Sequence, residues 1–499
     1  MNGSEVIERG RPENFGTMIA RSGAWMVGAR FGRTFITLIS MVALARLLTP
    51  TDFGIVAISS SIIVLVLSLL EGLIDVPVMR QDDLTTDMLR SLIWLSLLVV
   101  AIFGTILFFV APLAERVMEF PRLSEALRLA IPVLLMNVHF IAGTAVLRRQ
   151  LRFREAALLS IASAVAYSLP AVIMAFAGFG LWSILIAQNI GMFATAIAFS
   201  VRAGIGLALP ERFTLAGVGM VGGSGALSRV LAWAWTSVDT LIVGLLLGPA
   251  ATGLYARAYN INVQMKEPFA AVDQTLRQAF AGLKGRDGGL VEHSVMGLRL
   301  VTMLSGLVAA AVIVLREPIV LVLLGTQWLS AAPVVAILAA SFPARIGRLY
   351  FDSLSASAGS MTNLILRQLF LLVVITLGLL IFARQGLQYV ALVVSGAVYI
   401  AMLLPQARSE TGSYGTLGKL LMAMLPGTAL GAIIVGIDTM ILRPAIDGWS
   451  FRFACQVVLL ALGSVPVILL PDRWLPGRWS AARKRMLHRT PFAGKGGGS

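Results

Sequence analysis

Leu47-Leu48-Thr49-Pro50-Thr51-Asp52-Phe53-Gly54 returns 199 residues later as Leu246-Leu247-Gly248-Pro249-Ala250-Ala251-Thr252-Gly253, one L-L-x-P-x-x-x-G pattern carried twice by the same chain. Upstream, Ser22-Gly23-Ala24 recurs as Ser224-Gly225-Ala226; downstream, Pro132 is matched by Pro333. Three features in the same order at similar spacing point to an internal duplication. Each copy of the pattern falls between the first and second apolar segment of its half. An offset near 200 with one orientation on both sides predicts six helices per repeat, related by an axis along the membrane normal.

Around these joints, apolar segments of 20 or more residues recur, each long enough for a hydrocarbon core of about 30 Å. Fourteen are expected: 18–45, 52–78, 90–113, 124–147, 155–178, 181–203, 217–247, 251–278, 293–315, 328–356, 361–382, 386–405, 416–440 and 451–471. The expected fold class is therefore all-α integral membrane, with two pseudo-symmetric six-helix lobes and two C-terminal helices outside the duplication. The expected domains are a cytoplasmic tail (1–17), an N-lobe (18–203), a cytoplasmic linker (204–216), a C-lobe (217–405), helices 13 and 14 (406–471) and a basic cytoplasmic tail (472–499) whose last four residues resemble a linker. Residues 1–15 lack an apolar signal core, so the N-terminus is expected in the cytoplasm. On that topology cytoplasmic segments carry roughly 24 Lys/Arg, Arg148, Arg149, Arg152 and Arg154 among them, against about 8 outside.

Composition agrees. Of 499 residues 58% are hydrophobic and only 13% charged, and a soluble fold of that make-up would expose apolar surface no monomer tolerates. One cysteine and three histidines leave no disulfide framework and no zinc spacing. The net charge of +15 would suggest nucleic acid in a soluble protein. Here the positives cluster in short loops between apolar runs, where topology uses them. No nucleic-acid partner is expected, nor a cofactor or metal, and no motif for nucleophilic chemistry is present. An enzyme is not expected.

Ionisable groups within a span cost about 2.5–3.5 kcal/mol each on insertion scales, so each needs a partner or a wet cavity. Among the basic residues inside the expected helices, eight are singled out: Arg21, Arg30, Arg33, Arg229, Arg257, Lys266, Arg345 and Arg348. Six of the acids are singled out with them: Glu71, Asp75, Asp239, Glu267, Asp273 and Asp352. Arg21 is close enough to the helix end to snorkel. Taken singly, most of these charges read as ion pairs joining helices. Taken together, the cations outnumber the anions, and surplus positives in a cavity call for an anionic ligand such as pyrophosphate, which Arg grips bidentately. The candidate substrate-binding set is Arg30, Arg33, Arg229, Arg257, Lys266, Arg345 and Arg348. The candidate coupling or ion-pair set is Asp239, Asp75, Glu71, Asp273 and Asp352. Asn137, Gln188 and Asn189 are open to two readings, bonding between helices ahead of contact with sugar hydroxyls. Trp233 and Trp235, two apart on one helix, point to different faces, so at most one of them can stack on a sugar ring.

Ala45-Arg46-Leu47-Leu48-Thr49-Pro50-Thr51-Asp52-Phe53-Gly54 also resembles the signature following the first helix of bacterial polysaccharide flippases. These belong to the multidrug/oligosaccharidyl-lipid/polysaccharide exporter superfamily. Ser237-Val238-Asp239-Thr240-Leu241-Ile242-Val243-Gly244 and Gly253-Leu254-Tyr255-Ala256-Arg257-Ala258-Tyr259-Asn260 resemble its second-half counterpart, the colanic-acid or exopolysaccharide type being most similar. Gln278-Ala279-Phe280 departs from the Phe-Pro-Ala-like turn common there. The resemblance implies a V-shaped transporter of two six-helix lobes, and with the embedded cations the expected mechanism is alternating access around a cationic central cavity. The cargo it implies is an undecaprenyl-pyrophosphate-linked oligosaccharide, crossing the bacterial inner membrane for exopolysaccharide or O-antigen export. It further implies a polymerase and chain-length or export machinery as partners; the loop-charge bias predicts that both termini are cytoplasmic. Asp239 and Arg257 lie inside the matching motifs; the other charges rest on burial alone. Rival readings are a drug/cation antiporter or lipid II flippase of the same superfamily, or a membrane-embedded polysaccharide polymerase or ligase.

Overall fold

The computed structural model describes residues 7, 15–206, 208–214, 223–266, 269, 289–349, 361–403, 414–442, 444 and 449–468. Among them the chain is helical with no strand. The helices in order are α1 (Phe15–Leu47), α2 (Pro50–Arg80), α3 (Thr86–Met118), α4 (Leu123–Arg149), α5 (Phe153–Phe176), α6 (Leu181–Ala203) and α7 (Gly223–Met265). There follow α8 (Gly289–Val314), α9 (Arg316–Leu323), α10 (Ala332–Ala340) and α11 (Phe342–Leu349). The last four are α12 (Met361–Phe382), α13 (Leu387–Leu403), α14 (Tyr414–Ile437) and α15 (Trp449–Ile468).

Ten described helices are long and apolar enough to cross a membrane, or eleven if the pair Thr326–Ala340 and Phe342–Leu349, bent by 42°, is one span. The expected count of fourteen is therefore not established. Part of the difference has a physical cause in α7. The expected helices 217–247 and 251–278 are joined without a loop, and their shared stretch Leu227–Met265 runs 39 residues. A straight helix of that length would measure about 58 Å, nearly twice the hydrocarbon thickness. It breaks instead at Gly248, whose φ of 81° suits a residue without Cβ, followed by Pro249. Two other expected spans, now Leu387–Met402 and Arg452–Ser464, are shorter than a full crossing within the described residues.

The first joint of the repeat is built differently. Thr49 caps α2: its hydroxyl accepts from the Asp52 amide at 3.3 Å, while the Asp52 carboxylate accepts from the Thr49 amide at 3.0 Å. With Pro50 at the first helical position, this capping box fixes where α2 starts. Thr49 and Gly248 are the same position of the L-L-x-P-x-x-x-G pattern, so a capped helix start in one copy is a bent junction in the other.

The chain forms two compact units. The first comprises Met1–Arg257, Val320–Ala331 and Ile365–Val390. Its core lies where α2, α3 and α4 pack through Val66, Leu70, Ile74, Leu92, Val100, Leu134 and Val138. Helix α5 joins α1 to α6, and α6 packs on α4. The second unit comprises Ala258–Ile319, Ala332–Leu364 and Ala391–Ser499. There α14 lies backbone to backbone on α8: a Cβ on Gly306 would fall on the Gly427 carbonyl, and one on Gly427 would fall on that of Thr302. Glycines at such a crossing let two helices approach closely, which is how helices associate in lipid.

Candidate functional site

In the first unit, α1 exposes two unlike sides. Phe31, Phe35 and Ile39 form one, and Arg30, Arg33 and Thr37 lie roughly opposite at about 100° per residue. The aromatic side suits lipid, whereas guanidinium groups need water or an anion. Arg229 stands 199 residues after Arg30, the offset of the repeat. Its guanidinium lies 3.5 Å from the Glu71 carboxylate of α2 and also donates to the Ser68 carbonyl. One turn further along α2, Asp75 pairs with Arg148 of α4 at 3.2 Å. Both candidate coupling acids of α2 thus sit in half-exposed ion pairs that tie α2 to α7 and to α4.

Asp239 is buried in α7. One carboxylate oxygen accepts from the Tyr255 hydroxyl at 2.6 Å and the other from the Thr240 amide at 2.7 Å. Tyr255 lies beyond the Gly248 break, so this bond clasps the two arms of α7. Arg257, one turn after Gly253, lays its guanidinium over the Phe53 ring, 3.7 Å from the centroid. Tyr167 of α5 is its electrostatic neighbour.

The second unit gathers three cations. Arg345, 8% exposed, donates from Nε to the Ser341 hydroxyl at 3.0 Å and from an η nitrogen to the Tyr259 hydroxyl at 3.4 Å. Its guanidinium also stands 5.3 Å from the Tyr259 ring centroid. The second η nitrogen is buried with no hydrogen-bond partner among the described residues. Arg345 and Arg348 both act electrostatically on Lys266. Lys266, Arg345 and Arg348 are thus brought together, whereas Asp273 and Asp352, like Glu267, lie outside the described residues.

Several polar roles escaped the sequence reading. Arg149, expected as a loop charge, is buried and donates to the carbonyls of Val78, Gln81 and Asp82 at the end of α2, and to that of Ile7. It is a helix cap supplied by a side chain about 70 residues away in sequence. Gln327 and Trp328 likewise donate to the Ala45 carbonyl at 2.6 and 2.8 Å, closing the end of α1. Glu115 accepts from the Arg122 and Ser124 amides at the start of α4. Asn189, by contrast, does what was expected of it and bonds between helices, to the Leu129 carbonyl of α4, whereas the bond of Trp233 to the Ser61 carbonyl of α2 was not foreseen.

Long apolar helices, a duplicated joint and cations gathered within the helical body define an all-helical, multi-pass membrane protein. Residues 43–333 match the family described as "Polysaccharide biosynthesis protein", and the chain, matched over more than half its length, belongs to that family. The "Succinoglycan biosynthesis transport protein ExoT" of Rhizobium meliloti (strain 1021) is 24% identical over 338 residues. That match takes in 65% of this chain and 66% of the relative, just under two thirds of its length. Among solved structures, "Lipid II flippase MurJ, inward closed conformation" shares the fold with a TM-score of 0.72 at 14% identity, over 93% of this chain and all of that one. A multidrug resistance MATE family transporter of the MOP superfamily, in an inward-facing conformation, gives 0.59 at 14% identity over 80% and 95%. The fold is therefore shared with these two solved structures.

Proposed function

We propose that the protein is a flippase that carries undecaprenyl-pyrophosphate-linked oligosaccharide repeat units from the cytoplasmic to the periplasmic leaflet of a bacterial inner membrane. The reading is carried by the triad Lys266, Arg345 and Arg348 in a member of the polysaccharide biosynthesis family. Three neighbouring positives repel one another, and an Arg345 η nitrogen in their midst has no partner among the described residues. A pyrophosphate supplies acceptor oxygens for that nitrogen and negative charge beside Lys266 and Arg345. On this reading Arg30, Arg33, Arg229 and Arg257 also contact the headgroup during transport, and alternating access moves it across while the lipid tail stays in the bilayer. Asp239 is the coupling acid on this reading, with Asp75 and Glu71 as alternatives; Asp273 and Asp352 complete the acidic set. The protein performs no covalent chemistry. It works beside a polymerase and chain-length or export machinery, with both termini in the cytoplasm.

A second reading, a lipid II flippase, draws on the likeness to the MurJ structure and on the same pyrophosphate chemistry. Flipping in proteoliposomes separates the two. Lipid-linked oligosaccharide should be flipped faster than lipid II, and Ala at Arg30, Arg33, Arg345 and Arg348 should slow it. Undiminished flipping by all four variants would remove the cationic site, and preference for lipid II would select the second reading.

A further inference from the structure

We propose that Phe53 is the positioning residue for Arg257: an aromatic platform that fixes the guanidinium in place while leaving its charge free for a phosphate of the substrate. This rests on the reading of Arg257 as part of the anion site. The geometry carries it. The guanidinium carbon lies 3.7 Å from the Phe53 ring centroid, well within cation–π range. Arg257 Nε is buried and without a hydrogen-bond partner, and no carboxylate pairs with this residue among the described ones. An arginine in a protein interior is usually held by a carboxylate, which orients it and neutralises it together. The face of a benzene ring orients it and neutralises nothing. The η nitrogens keep their full donor capacity toward an anion.

The platform itself is immobile. Phe53 is 1% exposed and sits in the first turn of α2, directly after the Thr49–Asp52 capping box. The Trp328 ring packs edge-on against it at 5.4 Å and 65°. Trp328 is fully buried, and its indole N–H is spent on the Ala45 carbonyl at 2.8 Å. Arg257 is held from its own side as well, because Gly253, one turn earlier, presses on the Pro50 carbonyl at the start of α2. Platform and cation therefore share one rigid junction, and the arginine cannot swing away when no anion is present. Simple packing would explain Phe53 equally well if the ring's electrons did not matter, and that difference is measurable.

The experiment substitutes fluorinated phenylalanines at position 53, which keep the ring's shape and progressively drain its face of negative potential. Binding of undecaprenyl pyrophosphate in detergent is measured beside Phe53→Leu, Phe53→Trp and Arg257→Gln. Affinity should fall stepwise with fluorine count, to about a tenth at full fluorination, with the thermal midpoint unchanged. Phe53→Trp should bind as wild type, and fluorination should have no effect in the Arg257→Gln background. Affinity indifferent to fluorine, while Arg257→Gln still weakens binding, would overturn the platform and leave the site standing. Unaltered binding by Arg257→Gln would remove Arg257 from the anion site, and the platform with it.

Discussion

Gly54 and Gly253, the same position of the two L-L-x-P-x-x-x-G copies, pack against each other's helix starts. A Cβ on Gly54 would fall on the Pro249 carbonyl oxygen, and a Cβ on Gly253 would fall on that of Pro50. The exchange is reciprocal, the signature of a local twofold relation between repeated elements. Neither carbonyl belongs to a flexible side chain that can retreat. Gly54→Ala or Gly253→Ala should therefore destabilise by about 1–3 kcal/mol despite the helix propensity each gains. Gly28→Ala, where nothing lies within 4 Å, is the control and should be neutral or slightly stabilising. Thermal unfolding in detergent distinguishes them, and equal midpoints for all three would contradict the close approach.

Arg148 and Arg149 are neighbours in sequence with opposite importance. Arg149 satisfies carbonyls of Ile7, Val78, Gln81 and Asp82, so Arg149→Ala leaves buried acceptors unpaired and should cost about 3 kcal/mol. Arg148 makes a half-exposed pair with Asp75, and Arg148→Ala should cost no more than about 1 kcal/mol. The thermal midpoints of the two variants should differ clearly, and equal losses would contradict the capping role.

Asp239 accepts from Tyr255 and Thr240, so charge and hydrogen bonding can be separated there. Asp239→Asn keeps the shape and an acceptor, and should lose about 1 kcal/mol. Asp239→Ala strands two donors and should lose about 3 kcal/mol. In proteoliposomes under an imposed proton or sodium gradient, flux through Asp239→Asn should drop to the gradient-independent level. A variant that still responds to the gradient would move the coupling role to another acid.

The helical segments were legible because lipid imposes a length on them: an apolar stretch of 20 residues has few other uses. The duplicated pattern was legible too, since a cap or break followed by Pro and a close-packed Gly demands particular residue types. Partner choice was not. Glu71 meets Arg229 and Asp75 meets Arg148 only because α2 packs where it does, and helical periodicity sees one helix at a time. Arg149 looked like one more loop charge, because its task depends on carbonyls far away in the sequence. The Phe53–Arg257 stack was hidden for the same reason, although both residues stood inside the quoted motifs. At α7 the sequence reading ended one span at 247 and began the next at 251, and the helix does break there, at Gly248; what stayed hidden is that no loop separates the two arms.

The cation triad yields a prediction whose sign reverses with the ligand. Without an anion, Arg345 and Arg348 repel Lys266, so Lys266→Met should relieve repulsion and hold or raise the thermal midpoint. With pyrophosphate present the order should invert. A ligand bound only by the folded state stabilises it by about 2.7 kcal/mol at one hundred times its dissociation constant, and a site missing one positive binds more weakly. Wild type should therefore gain more from added pyrophosphate than Lys266→Met, and Arg345→Gln should gain least, having lost the buried donor. Salt should shrink the gap only modestly, because charges within the protein are poorly screened. Equal gains across wild type and both variants would mean that pyrophosphate meets the protein somewhere else, and the triad would then be a cluster of like charges held apart for another purpose.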